Sequence, residues 1–317
     1  MIQRRTFLGA AALSLAGCTQ NRKKQIALIP KGRAHMFWRS VNAGAVKAAR
    51  ENDLEVVWNG PDTETDYNGQ LRIVDAMINR RVDAICLAPI DKKVMVSVVE
   101  RAAQQKIPVV IFDSGIETEK FVSQVATDNY GAGALGAERM GKILNGKGTV
   151  VIVAVQPGGE STMQREQGFE DRIAKDFPGI KIVDKRYGMA DFAKSRTVAE
   201  NMLTAFPALD GLFASNESSA VGAAQALKGR SGKVKMVGFD WSPTLAEDLK
   251  SGLIDSLVVQ NPFEMGYQSV IAANKALKGE AVEKIHNLAP RLVTKEDLDK
   301  PDVREQLNPD LNKYLSS

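Results

Sequence analysis

The sequence predicts an α/β protein built from two similar, doubly wound parallel-sheet halves. Two observations carry this. Short apolar runs alternate with longer amphipathic stretches along most of the 317 residues, the pattern of strands and helices that feed a parallel sheet. The second is an internal echo. Residues 210–240, DGLFASNESSAVGAAQALKGRSGKVKMVGFD, read as a strand (212–214), a polar loop (215–219), a small-residue helix (220–227), a Gly-rich turn and a strand (234–239) ending in Asp240. Residues 83–113, DAICLAPIDKKVMVSVVERAAQQKIPVVIFD, share that layout, and both stretches open on Asp and close on Phe-Asp over the same number of positions. In open parallel sheets ligands sit beyond the carboxyl ends of the strands. Asn216 and Asp240 would meet there, with Asp113 as the counterpart in the echoing half.

Residues 1–18, MIQRRTFLGAAALSLAGC, stand apart from the fold. Arg4-Arg5 ahead of Phe7-Leu8 resembles a twin-arginine export signal. The apolar run 7–16 is too short for a bilayer core of about 30 Å. Leu15-Ala16-Gly17-Cys18 resembles a bacterial lipobox, so Cys18 is expected to carry lipid and to anchor an exported protein at the membrane, facing the periplasm or cell exterior. Residues 19–24, with Arg22, Lys23 and Lys24, form a short basic tether.

The elements follow in order. A strand at 26–29 leads through a loop to a helix at 37–51, with Val41, Ala45, Ala48 and Ala49 on one face. Next come strand 54–58, helix 67–79, strand 83–87, and helix 93–105, stopped by Ile107-Pro108. Strands 109–112 and 121–126 complete the first half, and Thr127-Asp128-Asn129 is a polar junction. The second half has a Gly/Ala-rich helix (131–144), strand 149–155, a loop with Pro157-Gly158-Gly159, helix 164–176, strand 180–185 and helix 195–205. After the echo unit come strand 257–260, the breaker Pro262, helix 265–277 and a short strand from Leu292. The charged tail 295–317 reads as one helix with a frayed end.

Composition narrows the function. Hydrophobic residues at 44% and charged residues at 25% are those of a globular protein. A formal net charge of +4, with no basic stripe interleaved with aromatics, argues against nucleic acid. Cys86 is the one cysteine besides Cys18. It sits in an apolar strand as a small hydrophobe, and no disulfide is expected. Two histidines, His35 and His286, no phosphate-cradling loop, no metal-ligand cluster and no Ser/His/Asp spacing argue against an enzyme, a metal and a cofactor. The carboxylates Asp113 and Asp240 could serve acid/base chemistry, but nothing beside them completes a catalytic set.

Eight short motifs give the chain a specific likeness. They are Phe37-Trp38, Phe112-Asp113, Ala126-Thr127-Asp128-Asn129, Arg165 before Gly168-Phe169, Ala190-Asp191-Phe192, Phe213-Ala214-Ser215-Asn216-Glu217, Val237-Gly238-Phe239-Asp240, and Gln260 before Pro262. In this order the chain resembles the periplasmic sugar-binding proteins typified by ribose-binding protein, over about residues 25–294. That family shares its type I periplasmic binding fold with the effector domains of lactose-repressor-type regulators. The resemblance implies two lobes on a three-segment hinge that close on a ligand. Lobe one would be 25–127 plus 261–289, and lobe two 128–260 plus 290–294. The crossings would fall near Thr127-Asp128, Gln260-Asn261 and Pro290-Arg291.

The resemblance also implies a small-molecule ligand, a sugar or similar polyol, and a protein partner, the permease of an ABC importer. The chain itself is expected to be a monomer. Phe37 or Trp38 and Phe192 would sandwich a sugar ring. Asp113, Arg165, Asn216, Asp240 and Gln260 would bond its hydroxyls. Lys31 and His35 join them as further candidates. His35 and Ser114 stand where the ribose site has an Asn and an Arg, which argues against assuming ribose.

Plainer roles compete: Phe37 and Phe192 as core, Trp38 as surface cover, Asp113 and Asp240 as caps of a following helix. Asn216 could be a simple N-cap, Arg165 and Lys31 solvated charges, Gln260 a hinge spacer and His35 a loop residue outside the cleft. At the level of function the alternative is a sugar-sensing binding protein that signals to a membrane receptor. Transcription regulation is set aside, because a DNA-binding headpiece is missing and an export signal is present.

Overall fold

The computed structural model describes residues 22–230 and 233–316. The export signal and Cys18 lie outside the described residues. The strands of the first sheet are β1 (Lys24–Ile29), β2 (Leu54–Trp58), β3 (Ala84–Leu87), β4 (Val109–Phe112), β5 (Ser123–Thr127) and β11 (Ile285–Leu288), ordered β11-β5-β4-β3-β1-β2. Those of the second are β6 (Lys147–Ala154), β7 (Gly179–Tyr187), β8 (Gly211–Ala214), β9 (Lys235–Phe239), β10 (Ser256–Val259) and β12 (Arg291–Thr294), ordered β12-β10-β9-β8-β6-β7. The two orders superpose strand for strand, so the echo in the sequence is a repeat in topology. One difference separates them: β11 runs parallel to β5, whereas β12 runs antiparallel to β10.

Strands buried on both faces need apolar residues at every position. In β1 the alternation divides two cores: Ile26 and Leu28 pack on one face, Ala27 and Ile29 on the other. In β6, Val151 and Val153 face one core, while Val150, Ile152 and Ala154 face its opposite.

Helices α1 (Met36–Glu51), α2 (Tyr67–Asn79) and α3 (Val96–Gln104) cover the first sheet with α9 (Pro262–Lys278). Helices α4 (Asn129–Ile143), α5 (Glu160–Asp176), α6 (Phe192–Ala205), α7 (Glu217–Leu227) and α8 (Pro243–Ser251) cover the second. The Gly-rich face of α4 has a steric reason. A Cβ on Gly133 would run into the Arg165 carbonyl, and one on Gly168 into that of Tyr130, so α4 and α5 pack backbone to backbone. The chain passes between sheets after β5, after β10, and between β11 and β12.

Several boundaries differ from the sequence reading. Helix α8 was not expected, although Ser242 caps it and Pro243 opens it, a legible start signal. Strand β11 was missed because its burial alternates with exposed positions and its apolar content is low. Helix α3 starts at Val96 and not at Lys93, because the Asp91 carboxylate accepts from Lys93 N and Val94 N in a turn. Helix α6 begins at Phe192, capped by Asp191, and not at Ser195, so Phe192 belongs to the helix. The tail holds two helices, α10 (Pro301–Leu307) and α11 (Asn312–Leu315), where one was expected.

Candidate functional site

Carboxyl ends of strands from both sheets, with the amino ends of α1, α5 and α7, face one another across the interlobe cleft. Asp113 follows β4 and Asp240 follows β9. Both take left-handed backbone angles, φ 61° and 68°, a region that Asp tolerates better than most residues. Each donates its N–H to the neighbouring strand, Asp113 to Val125 O at 3.0 Å and Asp240 to Val258 O at 2.9 Å. Neither caps the next helix; α8 has its own cap in Ser242.

A narrow polar cavity of about 20 Å³ lies between the lobes, lined by Lys31, His35, Phe37, Trp38, Asp113, Arg165, Asn216, Asp240 and Gln260. Nine of the ten ligand-site candidates therefore converge there. Phe192 does not. Its ring meets His35 edge-on at 5.0 Å and lines the adjoining pocket with Gly32 and Met189. The expected ring sandwich is thus replaced by His35 backed by Phe192. Phe37 and Trp38 are core and lining at once: they pack edge to face at 4.8 Å and join the first lobe's apolar cluster.

The charged groups are buried and partnered. Lys31 is 4% exposed. Its Nζ lies 2.7 Å from Asp113 Oδ2 and 2.9 Å from Ser161 Oγ of the facing lobe. Arg165, 2% exposed, donates to Asn129 Oδ1 at 2.8 Å and to Ser215 O at 3.1 Å, with its guanidinium 4.1 Å from the Phe239 ring. Neither is a solvated charge. His35 Nδ1 lies 2.9 Å from Glu64 Oε1, which also accepts from Trp38 Nε1 at 2.7 Å. Burial alone would lower the His35 pKa, but the Glu64 carboxylate outweighs it and holds His35 up to about 9. Burial likewise works against the Glu64 charge, yet His35, Lys31 and Trp38 bring its pKa down to about 2. This pair is an imidazolium and a carboxylate at neutral pH.

The second lobe contributes differently. Asp240 accepts from Gln260 Nε2 at 2.7 Å and from Glu217 N at 2.9 Å. Burial raises its pKa, against the field of Arg165. Gln260 in turn accepts from Thr127 Oγ1 at 2.7 Å, so both residues at two of the chain crossings are tied to the cavity. Asn216 is the N-cap of α7, accepting from Ser219 N at 2.9 Å, and lines the cavity as well. Glu217 reaches across the cleft to the start of α1, whose own N-cap His35 supplies no side-chain bond. Its oxygens accept from Met36 N at 3.2 Å and Phe37 N at 3.1 Å. Burial pushes Glu217 up to about 7.

Glu64, Ser161, Thr162 and Glu217 were missed as site residues. Glu217 stood inside a quoted motif. Glu64 lies in a polar loop and Ser161 in the first turn of α5, and both are residue types common everywhere on a surface, so no local signal marks them. Among the described residues no group of three or more His, Cys, Asp or Glu is arranged to hold a metal, and no helix is long and apolar enough to cross a membrane. Cys86 is buried and unpaired, its thiol pKa pushed up by desolvation.

Residues 26–281 match a family model described as a periplasmic binding protein domain. A D-ribose/D-allose-binding protein of Pseudomonas aeruginosa is 34% identical over 271 residues, 82% of this chain and 84% of that protein. A xylitol-binding protein of Mycolicibacterium smegmatis is 31% identical over 256 residues, 79% of this chain and 72% of the relative. Among solved structures, a carbohydrate transporter solute-binding protein from Agrobacterium radiobacter in complex with D-arabinose superposes with a TM-score of 0.88 at 33% identity, covering 90% of this chain and 99% of that one. These relatives are binding proteins and their names describe no catalysis.

Proposed function

The chain belongs to the periplasmic binding protein family, and on that premise we propose that it captures a sugar or similar polyol between its lobes and delivers it to the permease of an ABC importer. In this reading the protein is exported, acts as a monomer and is held at the membrane by lipid on Cys18. Lobe one is 25–127 plus 261–289, and lobe two is 128–260 plus 290–294.

One observation carries the reading: apolar rings and buried hydrogen-bonding groups from both lobes line a single cavity. A sugar offers apolar C–H faces to rings such as Phe37 and Trp38. Its hydroxyls, each donor and acceptor, suit the mixed rim of Asp113, Asn216, Asp240 and Gln260. A hydrogen bond to a charged partner contributes about 1.5–3 kcal/mol, and a buried group left unmet costs about as much. A wrong hydroxyl configuration is therefore selected against. Closure sets Glu217 on the amino end of α1 and Ser161 beside the Lys31–Asp113 pair, contacts that exist only with the lobes together. Ligand relatives that bind ribose, allose, xylitol and arabinose support the chemical class.

A thermal-shift screen over pentoses, hexoses, sugar acids and cyclitols tests this directly. Ligand that binds only the native state raises its melting temperature by mass action. A member of the panel is expected to do so at micromolar concentration, and a flat response across all four classes would overturn the reading. For the anchor, Cys18→Ala is expected to move the protein from the membrane to the soluble fraction; retention at the membrane would refute lipidation at that residue.

A further inference from the structure

His35 has an oxygen in front of each ring nitrogen. Its Nδ1 lies 2.9 Å from Glu64 Oε1, within lobe one, and its Nε2 lies 3.2 Å from Ala190 O, in lobe two. A carboxylate and a carbonyl only accept. A neutral imidazole has one N–H and would turn its lone pair on one of these oxygens. The imidazolium alone donates to both. The bond to Ala190 therefore ties the two lobes together through a proton.

The facing lobe is shaped to present that carbonyl. Met189 and Ala190 both take left-handed backbone angles, φ 57° and 53°, which residues such as Met and Ala rarely adopt. The two in succession turn the chain between β7 and α6. The turn is pinned at its start, where Gly188 N donates to Ala154 O at 2.8 Å and Met189 N to Val155 O at 2.7 Å. Asp191, the cap of α6, closes its end. Lobe two also grips the partner of the ring: Gln156 Nε2 donates to Glu64 O at 2.8 Å. Both members of the His35–Glu64 pair are thus held from across the cleft.

The surrounding charges act unequally. After Glu64, the carboxylates of Glu217 and Asp240 in lobe two also favour the imidazolium. Lys31 acts on Glu64. In the adjoining pocket Asp62 pairs with Arg33, and Asp191 and Lys194 are exposed. Opening the lobes would remove Ala190 O, Glu217 and Asp240 from the ring and leave it Glu64. The ring is therefore more basic with the lobes closed than open, and closure is favoured while the proton is bound.

We infer that His35 is a proton-dependent clasp between the lobes: they lock on their ligand while its ring is an imidazolium, and loss of that proton speeds release. The inference rests on the sugar-binding reading above and makes His35 a positioning residue for closure. The clasp is complete at low pH and is lost as pH rises through about 9. Glu217 titrates below that window, at about 7.

The test is stopped-flow release, together with affinity, for the tightest-binding member of the thermal-shift panel. Between about pH 7 and about pH 10 affinity is expected to fall about tenfold, mostly through faster release. His35→Gln, whose amide never titrates in this range, should flatten the profile. Glu64→Gln should move its midpoint down by about one to three pH units, a shift that a merely structural role would not produce. Nitrogen-15 spectra of histidine-labelled protein read the ring directly, with His286 the one other histidine. In the saturated complex both His35 nitrogens should carry protons at about pH 8. A flat profile in the unaltered protein, a slope that survives His35→Gln, or a neutral ring in the saturated complex would overturn the clasp and leave the sugar reading standing. If no sugar binds, that reading falls. The ring of the unliganded protein then decides the clasp: a midpoint at or below the ordinary 6.5 would overturn it, and one near 9 would keep it.

Discussion

Asp113 closes β4 and Asp240 closes β9, each with left-handed backbone and each bonded through its N–H to the adjacent strand. Their surroundings differ. Asp113 has Lys31 at 2.7 Å, and beside it His35 pairs with Glu64 at 2.9 Å. Lobe one therefore meets the cleft with its charges matched inside the lobe. Asp240 accepts only from an amide side chain and a backbone N–H, and Glu217 from two backbone N–H groups of the facing lobe. Among the described residues neither carboxylate forms an ion pair. A repeated backbone thus fixes where the carboxylates stand but not their charge balance. In lobe two Asp240 has only the field of Arg165 from its own lobe, and Glu217 depends on what lies across the cleft.

If the asymmetry is energetic, removing the two aspartates should give different failures. Asp113→Ala strands Lys31 as a buried, unpaired charge, which costs about 3–5 kcal/mol. Chemical denaturation should show that loss, and Lys31→Met added to Asp113→Leu should recover most of it. Asp240→Ala breaks no direct ion pair, although it removes a carboxylate whose charge Arg165 favours, and should cost the unliganded protein less. Its effect should appear in binding instead, about 1.5–3 kcal/mol for each hydroxyl bond lost, read as roughly 10- to 100-fold weaker sugar affinity. Equal losses of stability in the two alanine variants would erase the distinction.

The imidazolium of His35 allows part of lobe one's charge matching to be withdrawn by pH. His35 is held at about 9 against an ordinary 6.5. The stability it contributes is complete below about pH 6.5 and is lost as pH rises through 9. A loss on the order of 2–3 kcal/mol is expected over that interval, and His35→Gln should flatten the slope. Glu64 works the other way: its pKa of about 2 means its contribution is present above 4.5 and lost as pH falls through 2. The smallest effect belongs to the cross-lobe cap. Glu217→Ala should cost about 1 kcal/mol, the worth of a helix N-cap, and only in the closed form. Sugar affinity should fall about fivefold while the melting temperature of the unliganded protein holds if the open form dominates there. An unchanged affinity would show that the cap has no part in closure.

The alternation of strand and helix and the Phe-Asp echo were legible because they are periodic: burial on both faces of a parallel sheet demands apolar runs, and a repeated unit leaves a repeated pattern. Nine candidate side chains meet in one cavity because strand ends converge by topology. Phe192 escaped that logic. Its helix begins at Phe192 itself, and this turns the ring to His35 and away from the polar rim. Strand β11 was missed for want of apolar residues; it holds its place by pairing with β5, a partner far away in sequence. Glu64 in its loop and Ser161 in the first turn of α5 are ordinary polar residues until the fold sets them against His35 and Lys31.

By itself the sequence determined the two-fold α/β repeat, the aspartates at its strand ends and the likeness to sugar-binding proteins, because these rest on local periodicity and short motifs. Only the tertiary structure decided which charges neutralise one another and that Glu217 caps a helix of the opposite lobe. Those are contacts between segments distant in the chain, whose energies arise from burial and distance, and neither quantity exists before the chain is folded.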